Sequence, residues 1–339
     1  MTRMVICLDD ADGDVQTRGD TNVIQLFRSL ENVPGRQLTY YDPGVGTQSP
    51  AVAGTPTARR VSSLVGSTFG AGLRTNLEAA YTFLIEHWKP GDELFIFGFG
   101  RGGYCARALT GLLNMTGLLR PGSEHLATYA VSNYARRKPK WTYDDFLRTE
   151  RFAAAASQEV DGHYWVPVTY LGLWDTVRAP GALRRSMEWP YTRTLPNITA
   201  GRHAVAVDEE RRPFQEFLVA PCQQAVEEVW FPGTHSDIGG GFLEEPRLSD
   251  VALEWVVDGA LAAGLLVRAD RPLPSVTEQH ATGIMHPGGW YWTLLAHRRR
   301  PVPADAKIHL SARRRIADDP HYARGRLPRN SWADPEWPR

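Results

Sequence analysis

The sequence lacks an excess of charge, has few cysteines and contains no long apolar run. Lys and Arg number 38 and Asp and Glu number 38, so the formal net charge is +0 and gives no indication of a nucleic-acid binder. Cys7, Cys105 and Cys222 are too far apart for a zinc motif, and we interpret Cys7 and Cys105 as buried free thiols. No apolar run approaches the roughly 20 residues of a membrane span, and the N-terminal apolar run is too short for a signal-peptide core. The sequence therefore predicts a cytoplasmic protein, or one exported without a cleavable signal peptide.

Apolar residues are present in the amount and pattern of a folded α/β protein. The hydrophobic fraction is 42% over 339 residues, enough for a substantial core. Short apolar runs alternate with segments of helical period, which predicts a mostly parallel, doubly wound sheet. The predicted strands include residues 4–8, 37–41 and 95–97, the predicted helices include 21–30 and 76–88, and a long loop is predicted over 48–72.

The stretch FIFGFGRGGYCAR, residues 95–107, has the shape of a nucleophile elbow. Its β-forming residues lead into a glycine-rich turn, and a helix-like segment follows. In α/β-hydrolases this turn has the pattern G-x-S-x-G and raises a serine out of the end of a strand. The central position here is Gly100, which has no side chain with which to attack a substrate.

An acid and a histidine follow the elbow in the order that a triad on this fold requires. Asp175 comes after the apolar run LGLW, and His235 lies in a glycine-rich loop after Phe231. Catalytic groups of parallel sheets gather at the carboxyl ends of strands, where a carboxylate can fix the tautomer of a histidine. Taken singly, Asp175 is equally well a turn acid and His235 a solvated loop residue. Their order and placement favour a catalytic pair.

Five spaced motifs carry a family resemblance: FGFGRGGYCARALTGLL, LGLWDTV, GRHAVAVDEERRPF, WFPGTHSDIGGGF and LSDVALEW. Together they resemble the α/β-hydrolases that include type VI secretion phospholipase effectors and related uncharacterised bacterial and fungal proteins. The resemblance implies that Gly100 stands at the nucleophile position of an elbow that reads G-F-S-R-G-A in the family. It implies that Asp175 is the acid of W-D-T and that His235 is the histidine of G-x-H-S-D-x-G-G-G.

The chain departs from this family at the serine and also at the end of the first strand. There the family reads D-G-T-x-N, whereas this chain reads DDADGD from Asp9. That loop and the residue after the elbow supply the oxyanion-hole amides of the fold. The resemblance thus implies oxyanion-hole donors at Asp10 and Arg101. The predicted substrate-binding residues are Asp9, Ser236 and Asp237.

The acids Asp9, Asp10, Asp12 and Asp14 allow a second interpretation, a cation site, because closely spaced carboxylates suit hard metal ions. Their spacing lacks the glycine position and the terminal glutamate of an EF-hand loop. A solvated acidic loop is the favoured interpretation, and cation binding by this loop stays open. We predict no metal ion and no cofactor.

Three segments differ in composition and predict the domain organisation. Residues 1–270 form an α/β-hydrolase-like domain, and the polar, aromatic and Arg-rich block 120–162 is a helical cap inserted into it. Residues 271–339, rich in Pro, Arg and Trp, form an extension that packs on the core. The inserted block and the extension are also the predicted surfaces for a protein partner.

The resemblance implies that a serine-bearing relative hydrolyses a phospholipid or another carboxylic ester through an acyl-enzyme, with His235 as base. Without the serine oxygen, we expect this chain to be weak or inactive as an esterase. Two alternatives stay open. One is an enzyme of another kind that uses the Asp175–His235 dyad as a general base, and the other is a non-catalytic binding or assembly protein. A lipid or small ester-like substrate is the expected small-molecule partner, and no nucleic acid is expected.

Overall fold

A computed structural model describes residues 1–10, 19–44, 67–136, 141–177, 188–286, 298–323, 325–328 and 332–338 of the 339-residue chain. Asp12 and Asp14 lie outside the described residues, as does most of the predicted loop 48–72. The end of that loop was predicted wrongly. Residues 67–72 belong to the helix that follows, which begins at Ser67 instead of Asn76.

The described residues form one sheet of eight strands in which every neighbouring pair is parallel. The strand order is β2-β1-β3-β4-β5-β6-β7-β8. This arrangement confirms the predicted parallel, doubly wound fold. The strands are β1 Arg3–Leu8, β2 Gln37–Asp42, β3 Glu93–Phe99, β4 Val168–Trp174, β5 Ile198–Ala206, β6 Val226–Phe231, β7 Lys307–His309 and β8 Trp332–Ala333.

Helices cover both faces of the sheet. Those of the described residues are α1 Asn22–Ser29, α2 Ser67–His87, α3 Gly100–Met115, α4 Ala127–Tyr134, α5 Tyr143–Ala156, α6 His235–Gly239, α7 Arg247–Ala262 and α8 Leu310–Asp318. Short 3₁₀ turns occur at Glu124–Leu126, Arg212–Phe214 and Glu278–Thr282. Within the described ranges, no helix is long and apolar enough to cross a membrane.

Strand β1 shows why its sequence is a continuous apolar run. Met4, Ile6 and Leu8 belong to the core cluster that contains side chains of α2 and α3, whereas Val5 and Cys7 belong to the cluster that contains side chains of α1 and α7. Successive side chains of a strand point to opposite faces, so a strand covered on both faces must be apolar at every position. Cys7 and Cys105 are buried free thiols, as predicted.

The inserted block between β3 and β4 contains α4 and α5. Helix α4 packs against α2 and α3, and α5 packs against α3. Val131 and Tyr134 of α4 are buried in the core cluster that lies under α2 and α3. The Tyr134 hydroxyl also donates a hydrogen bond of 2.8 Å to the Pro190 carbonyl. The block is therefore tied to the body of the domain, and its role as a cap over the site stays a prediction.

The C-terminal extension completes the sheet. Strand β7 pairs with β6 through Val229 and Lys307, and β8 pairs with β7 through Ile308 and Trp332. Composition alone predicted an extension that packs on the core. In the structure, the extension also contributes two strands, β7 and β8, to the sheet itself.

Candidate active site

The carboxyl edge of the sheet brings the predicted site residues together. In the strand register, Leu8 lies opposite Gly98, and Phe99 lies opposite Trp174. The residues that follow these strands are therefore neighbours, although they are far apart in the sequence. Asp10, Gly100, Asp175 and His235 meet at this edge.

The elbow turn depends on two glycines. Gly100, the first residue of α3, has a φ of +56°, in the left-handed region that nucleophile elbows use and that glycine adopts without steric cost. A Cβ at Gly102 would lie 2.2 Å from the Leu8 carbonyl oxygen, so any side chain there would push β1 away from the helix. The sequence thus places the start of α3 directly against the end of β1.

His235 is positioned by the loop and helix on which it lies. Thr234 caps α6 by a capping box with Asp237, whose Oδ2 accepts hydrogen bonds from the Thr234 amide at 2.8 Å and hydroxyl at 3.0 Å. The His235 amide donates to Glu209 Oε2 at 3.1 Å. Ring centroids of Phe99 and Phe214 lie 4.5 and 4.8 Å from the imidazole centroid. The ring is therefore held in a single buried orientation.

The two nitrogens of His235 face two carboxylates. Nδ1 lies 2.6 Å from Asp175 Oδ2, which is the arrangement of a His–Asp dyad, and Nε2 lies 3.2 Å from Asp10 Oδ2. Asp175 also accepts a hydrogen bond of 2.9 Å from the Ala206 amide. His235 and Asp10 are 3% and 4% exposed, and Asp175 is fully buried.

The carboxylate of Asp10 takes the place that a nucleophile side chain would occupy. A Cβ built on Gly100 would lie 2.6 Å from Asp10 Oδ2, 2.7 Å from Asp10 Cγ and 3.0 Å from His235 Cε1. Carbon and oxygen do not approach that closely without a bond, so a serine at position 100 and the present Asp10 rotamer exclude each other. The oxygen that faces His235 Nε2 comes from the segment after β1 and not from the elbow.

The predicted oxyanion-hole donors are both engaged. The Arg101 amide donates to Asp10 Oδ1 at 3.3 Å, and the Arg101 Nε donates to the same oxygen. The Asp10 amide donates to Asp9 Oδ1 at 2.8 Å. Asp10 therefore presents a side-chain acceptor to the site, whereas the sequence argument assigned it a backbone donor.

Arg300 is a member of the site that the sequence analysis did not identify. Its Nη1 donates to Asp175 Oδ1, its Nη2 donates to Asp175 Oδ2 at 3.0 Å, and it is 5% exposed. The guanidinium also donates to the carbonyls of Ala206 and Phe214. This two-pronged contact is the geometry in which arginine binds a carboxylate most strongly.

These residues form a continuous run of alternating charge, Arg101–Asp10–His235–Asp175–Arg300, which we call the ion-pair chain. Burial would raise the pKa values of Asp10 and Asp175, but the charges of Arg101 and Arg300 and the hydrogen bonds from His235 hold both well below their usual range. Burial would lower the pKa of His235, and its hydrogen bonds to the two carboxylates outweigh this and raise it. Since a neutral imidazole has only one N–H, contact with two ionised acceptors requires His235 to be the imidazolium.

Asp9 is a buried carboxylate whose hydrogen-bond donors among the described residues are uncharged. Its Oδ2 accepts from the Thr21 hydroxyl at 2.6 Å and from the Tyr41 hydroxyl at 3.0 Å. Burial raises the pKa of Asp9 to about 7 even though these hydrogen bonds oppose the shift. Asp9 thus holds the end of β1 against its neighbours, and substrate binding by Asp9 stays a prediction.

We expect replacement of Asp9 by asparagine to change the pH dependence of stability. Because the folded pKa of about 7 lies above the unfolded value near 3.9, the folded state holds its proton more tightly, and wild-type stability falls as pH rises between these values. The uncharged Asp9→Asn variant lacks this loss. Urea unfolding at pH 5, 6, 7 and 8 should therefore show the variant gaining on the wild type by a few kcal/mol toward high pH. Asp305→Asn, at an exposed turn, is the control, and parallel profiles for Asp9→Asn and wild type would contradict the expectation.

Asp237 and Ser236, the other predicted substrate-binding residues, lie on α6. Both Asp237 oxygens are used within this region, since Oδ1 lies 2.7 Å from His286 Nδ1 and Oδ2 accepts from the His286 amide at 3.1 Å. Ser236 is half-buried, and its carbonyl accepts from the Gly240 amide. Asp237 thus maintains the loop that presents His235. Substrate contacts for both residues stay predictions.

The acids that suggested a cation site are only partly described. Asp9 and Asp10 are engaged by the groups given above, and Asp12 and Asp14 lie outside the described residues. Over the part of the chain that the structure describes, no three side chains that could ligate a metal ion cluster together.

Residues 2–259 match the family model described as "T6SS, Phospholipase effector Tle1-like, catalytic domain". The chain belongs to this family. The matched segment contains four members of the ion-pair chain, whereas Arg300 lies beyond it.

Three further proteins are similar to this member of the Tle1-like family. The uncharacterized protein YEL023C of Saccharomyces cerevisiae is 30% identical over 227 residues, which are 64% of this chain and 33% of the yeast protein. An uncharacterized protein from Pseudomonas aeruginosa has 18% identity and a TM-score of 0.45, covering 83% of this chain and 50% of that one. The Tle1 effector bound to the VgrG spike from the type 6 secretion system has 17% identity and a TM-score of 0.43, covering 72% and 51%. The chain therefore spans about half or less of the length of these proteins.

Proposed function

We propose that this Tle1-like catalytic domain does not hydrolyse esters by the serine mechanism and that its former catalytic site now has a binding role. One observation carries the proposal. The oxygen atom in contact with His235 Nε2 belongs to Asp10, which is locked to Arg101, and the elbow position that would supply a serine is Gly100. Without the serine oxygen no acyl-enzyme of the usual kind can form.

The protonation state of His235 supports the same conclusion. A general base must be deprotonated and must reach the proton that it removes. Here both ring nitrogens face ionised carboxylates, and the pKa of the imidazole is raised by these hydrogen bonds against the effect of burial. The ring is therefore a cation engaged on both sides, which disfavours the alternative of a non-serine enzyme that uses the Asp175–His235 dyad as base.

The proposal predicts that the wild-type chain shows no His235-dependent ester hydrolysis. Wild type and a His235→Gln variant should release fatty acid from phosphatidylcholine vesicles, and 4-nitrophenolate from 4-nitrophenyl butyrate, at the same residual rate. A fluorophosphonate probe, which labels activated serines, should leave the wild type unlabelled. Circular dichroism checks that the variant is folded. A wild-type rate clearly above that of His235→Gln would overturn the proposal.

A further inference from the structure

The Asp10 carboxylate lies in a set of hydrogen-bond donors that resembles a ligand site. Three N–H groups from two residues converge on its two oxygens: the amide and Nε of Arg101 on Oδ1, and Nε2 of His235 on Oδ2. Arg101 is 6% exposed and His235 is 3% exposed. A buried group of donors from a guanidinium, an imidazolium and an amide matches the hydrogen-bonding capacity of a carboxylate.

The charges around this position favour an anion there. Asp175 pairs with Arg300 and His235, whereas Asp10 pairs with two cations, Arg101 and the His235 imidazolium. With Asp10 in place, its single negative charge lies between these two cations. Without it, the buried Arg101 guanidinium would lose a carboxylate partner, and His235 would lose one of the two carboxylates that raise its pKa.

The shape of the site depends on Gly100. A Cβ there would overlap Asp10 Oδ2, so the absence of a side chain is what leaves room for the second carboxylate oxygen. This part of the argument rests on the proposed function, because a serine at position 100 would take the same space.

From these observations we propose that Arg101 and His235 form a carboxylate-binding site and that Asp10 is its built-in ligand. The same donors accept the carboxylate group of another molecule when the Asp10 side chain is absent or withdrawn. Asp10 therefore keeps the site closed to organic acids and acyl carboxylates in the structure described here. The site is specific for a planar anion with two oxygens, since one oxygen is bound by Arg101 and the other by His235.

The test is to remove the internal ligand and supply a free one. In Asp10→Gly, sodium acetate should raise the melting temperature and shift the ring ¹⁵N resonances of His235, whereas acetamide, an uncharged molecule of the same size, should do neither. Hexanoate should act like acetate if the site also admits an acyl chain, whereas a response to acetate but not to hexanoate would show that the site accepts only a small carboxylate. Wild type should not respond to acetate at the same concentrations, because Asp10 occupies the site.

Asp42→Gly is the matched control. Asp42 also ends a parallel strand, but it is held by uncharged donors, the Gly44 amide at 2.8 Å and the Asn76 side-chain amide at 2.7 Å. Among the described residues, the donors that removal of its carboxylate would expose are uncharged. We expect acetate to bind Asp10→Gly at least about tenfold more tightly than Asp42→Gly. Adding Arg101→Gln to Asp10→Gly should abolish this difference.

Two outcomes would overturn the proposal: acetate binding to Asp10→Gly that is no tighter than to Asp42→Gly, or equal responses to acetate and acetamide. If Asp10→Gly does not fold in the absence of a ligand, its refolding yield in acetate against acetamide gives the same comparison. These results are independent of the esterase assays on the wild type. Failure of the carboxylate site and failure of the proposed function are therefore separate outcomes.

Discussion

Replacing Gly100 by serine and Asp10 by glycine together should produce ester hydrolysis that neither substitution gives alone. In Gly100→Ser the new Cβ would lie 2.6 Å from Asp10 Oδ2, so the hydroxyl cannot take its place between the elbow and His235. In Asp10→Gly the space opens, but no nucleophile enters it. The double variant supplies the serine, releases His235 Nε2 and frees the Arg101 amide for an oxyanion. In the D-G-T-x-N motif that the sequence analysis compared with DDADGD, glycine stands at the position of Asp10. The Asp10→Gly substitution therefore also restores the residue of that motif.

The expected rise in kcat is on the order of 10³- to 10⁶-fold over either single variant, because a missing triad serine costs up to about 10⁶ in kcat. Phosphatidylcholine and 4-nitrophenyl butyrate are the substrates, and a burst of nitrophenolate would report the acyl-enzyme. The triple variant with His235→Gln is the control and should lose the gain. If Gly100→Ser alone were as active as the double variant, Asp10 would not be the obstacle. If the double variant stayed inert, the donors at the end of β1 would be the missing part.

Replacing Arg300 by methionine should destabilise the protein far more than the same change at its neighbour Arg299. Arg300 makes a two-pronged contact with the fully buried Asp175, so its loss leaves that carboxylate with His235 as its remaining charged partner, at a cost of up to about 3–5 kcal/mol. The Arg299 side chain is 65% exposed and meets Glu210 at the surface, where a pair contributes about 1 kcal/mol or less. The two variants make the same chemical change one residue apart.

Urea unfolding at pH 7 measures both free energies of unfolding. A further variant, Asp175→Asn with Arg300→Met, separates loss of charge pairing from loss of packing. It should recover part of the stability lost in Arg300→Met, because the buried carboxylate that lost its two-pronged contact is replaced by a neutral amide. Equal losses for Arg299→Met and Arg300→Met would show that the contact with Asp175 contributes nothing beyond a surface pair.

The parallel sheet and the meeting of its strand ends were predictable because both follow from local patterns. The continuous apolar runs before Asp9, Gly100 and Asp175 predicted buried parallel strands, and the carboxyl ends of such strands share one edge. The role of Asp237 was also within reach of the sequence. Thr234 and Asp237 have the spacing of a capping box, which the structure contains, and substrate binding by Asp237 stays a prediction.

The side chain of Asp10 and the partner of Asp175 could not be predicted in the same way. Whether Asp10 presents its amide or its carboxylate depends on the backbone direction after β1, which a sequence pattern does not determine. Arg300 lies 125 residues from Asp175, in a run of three arginines that contains nothing to separate the buried one from its exposed neighbours. Long-range pairing of this kind is decided by the packing of the C-terminal strands.

The ion-pair chain has a consequence for how the molecule assembles. It joins Asp10, which follows the first strand, to Arg300, which precedes the last two strands, so it is complete only when these distant segments have come together. Contacts of such high sequence separation close late and slowly. The imidazole of His235 therefore serves as a reporter of completed folding, because its raised pKa will appear only when both ends of the chain are in place. A refolding experiment that monitors the protonation of this one ring would time the final step.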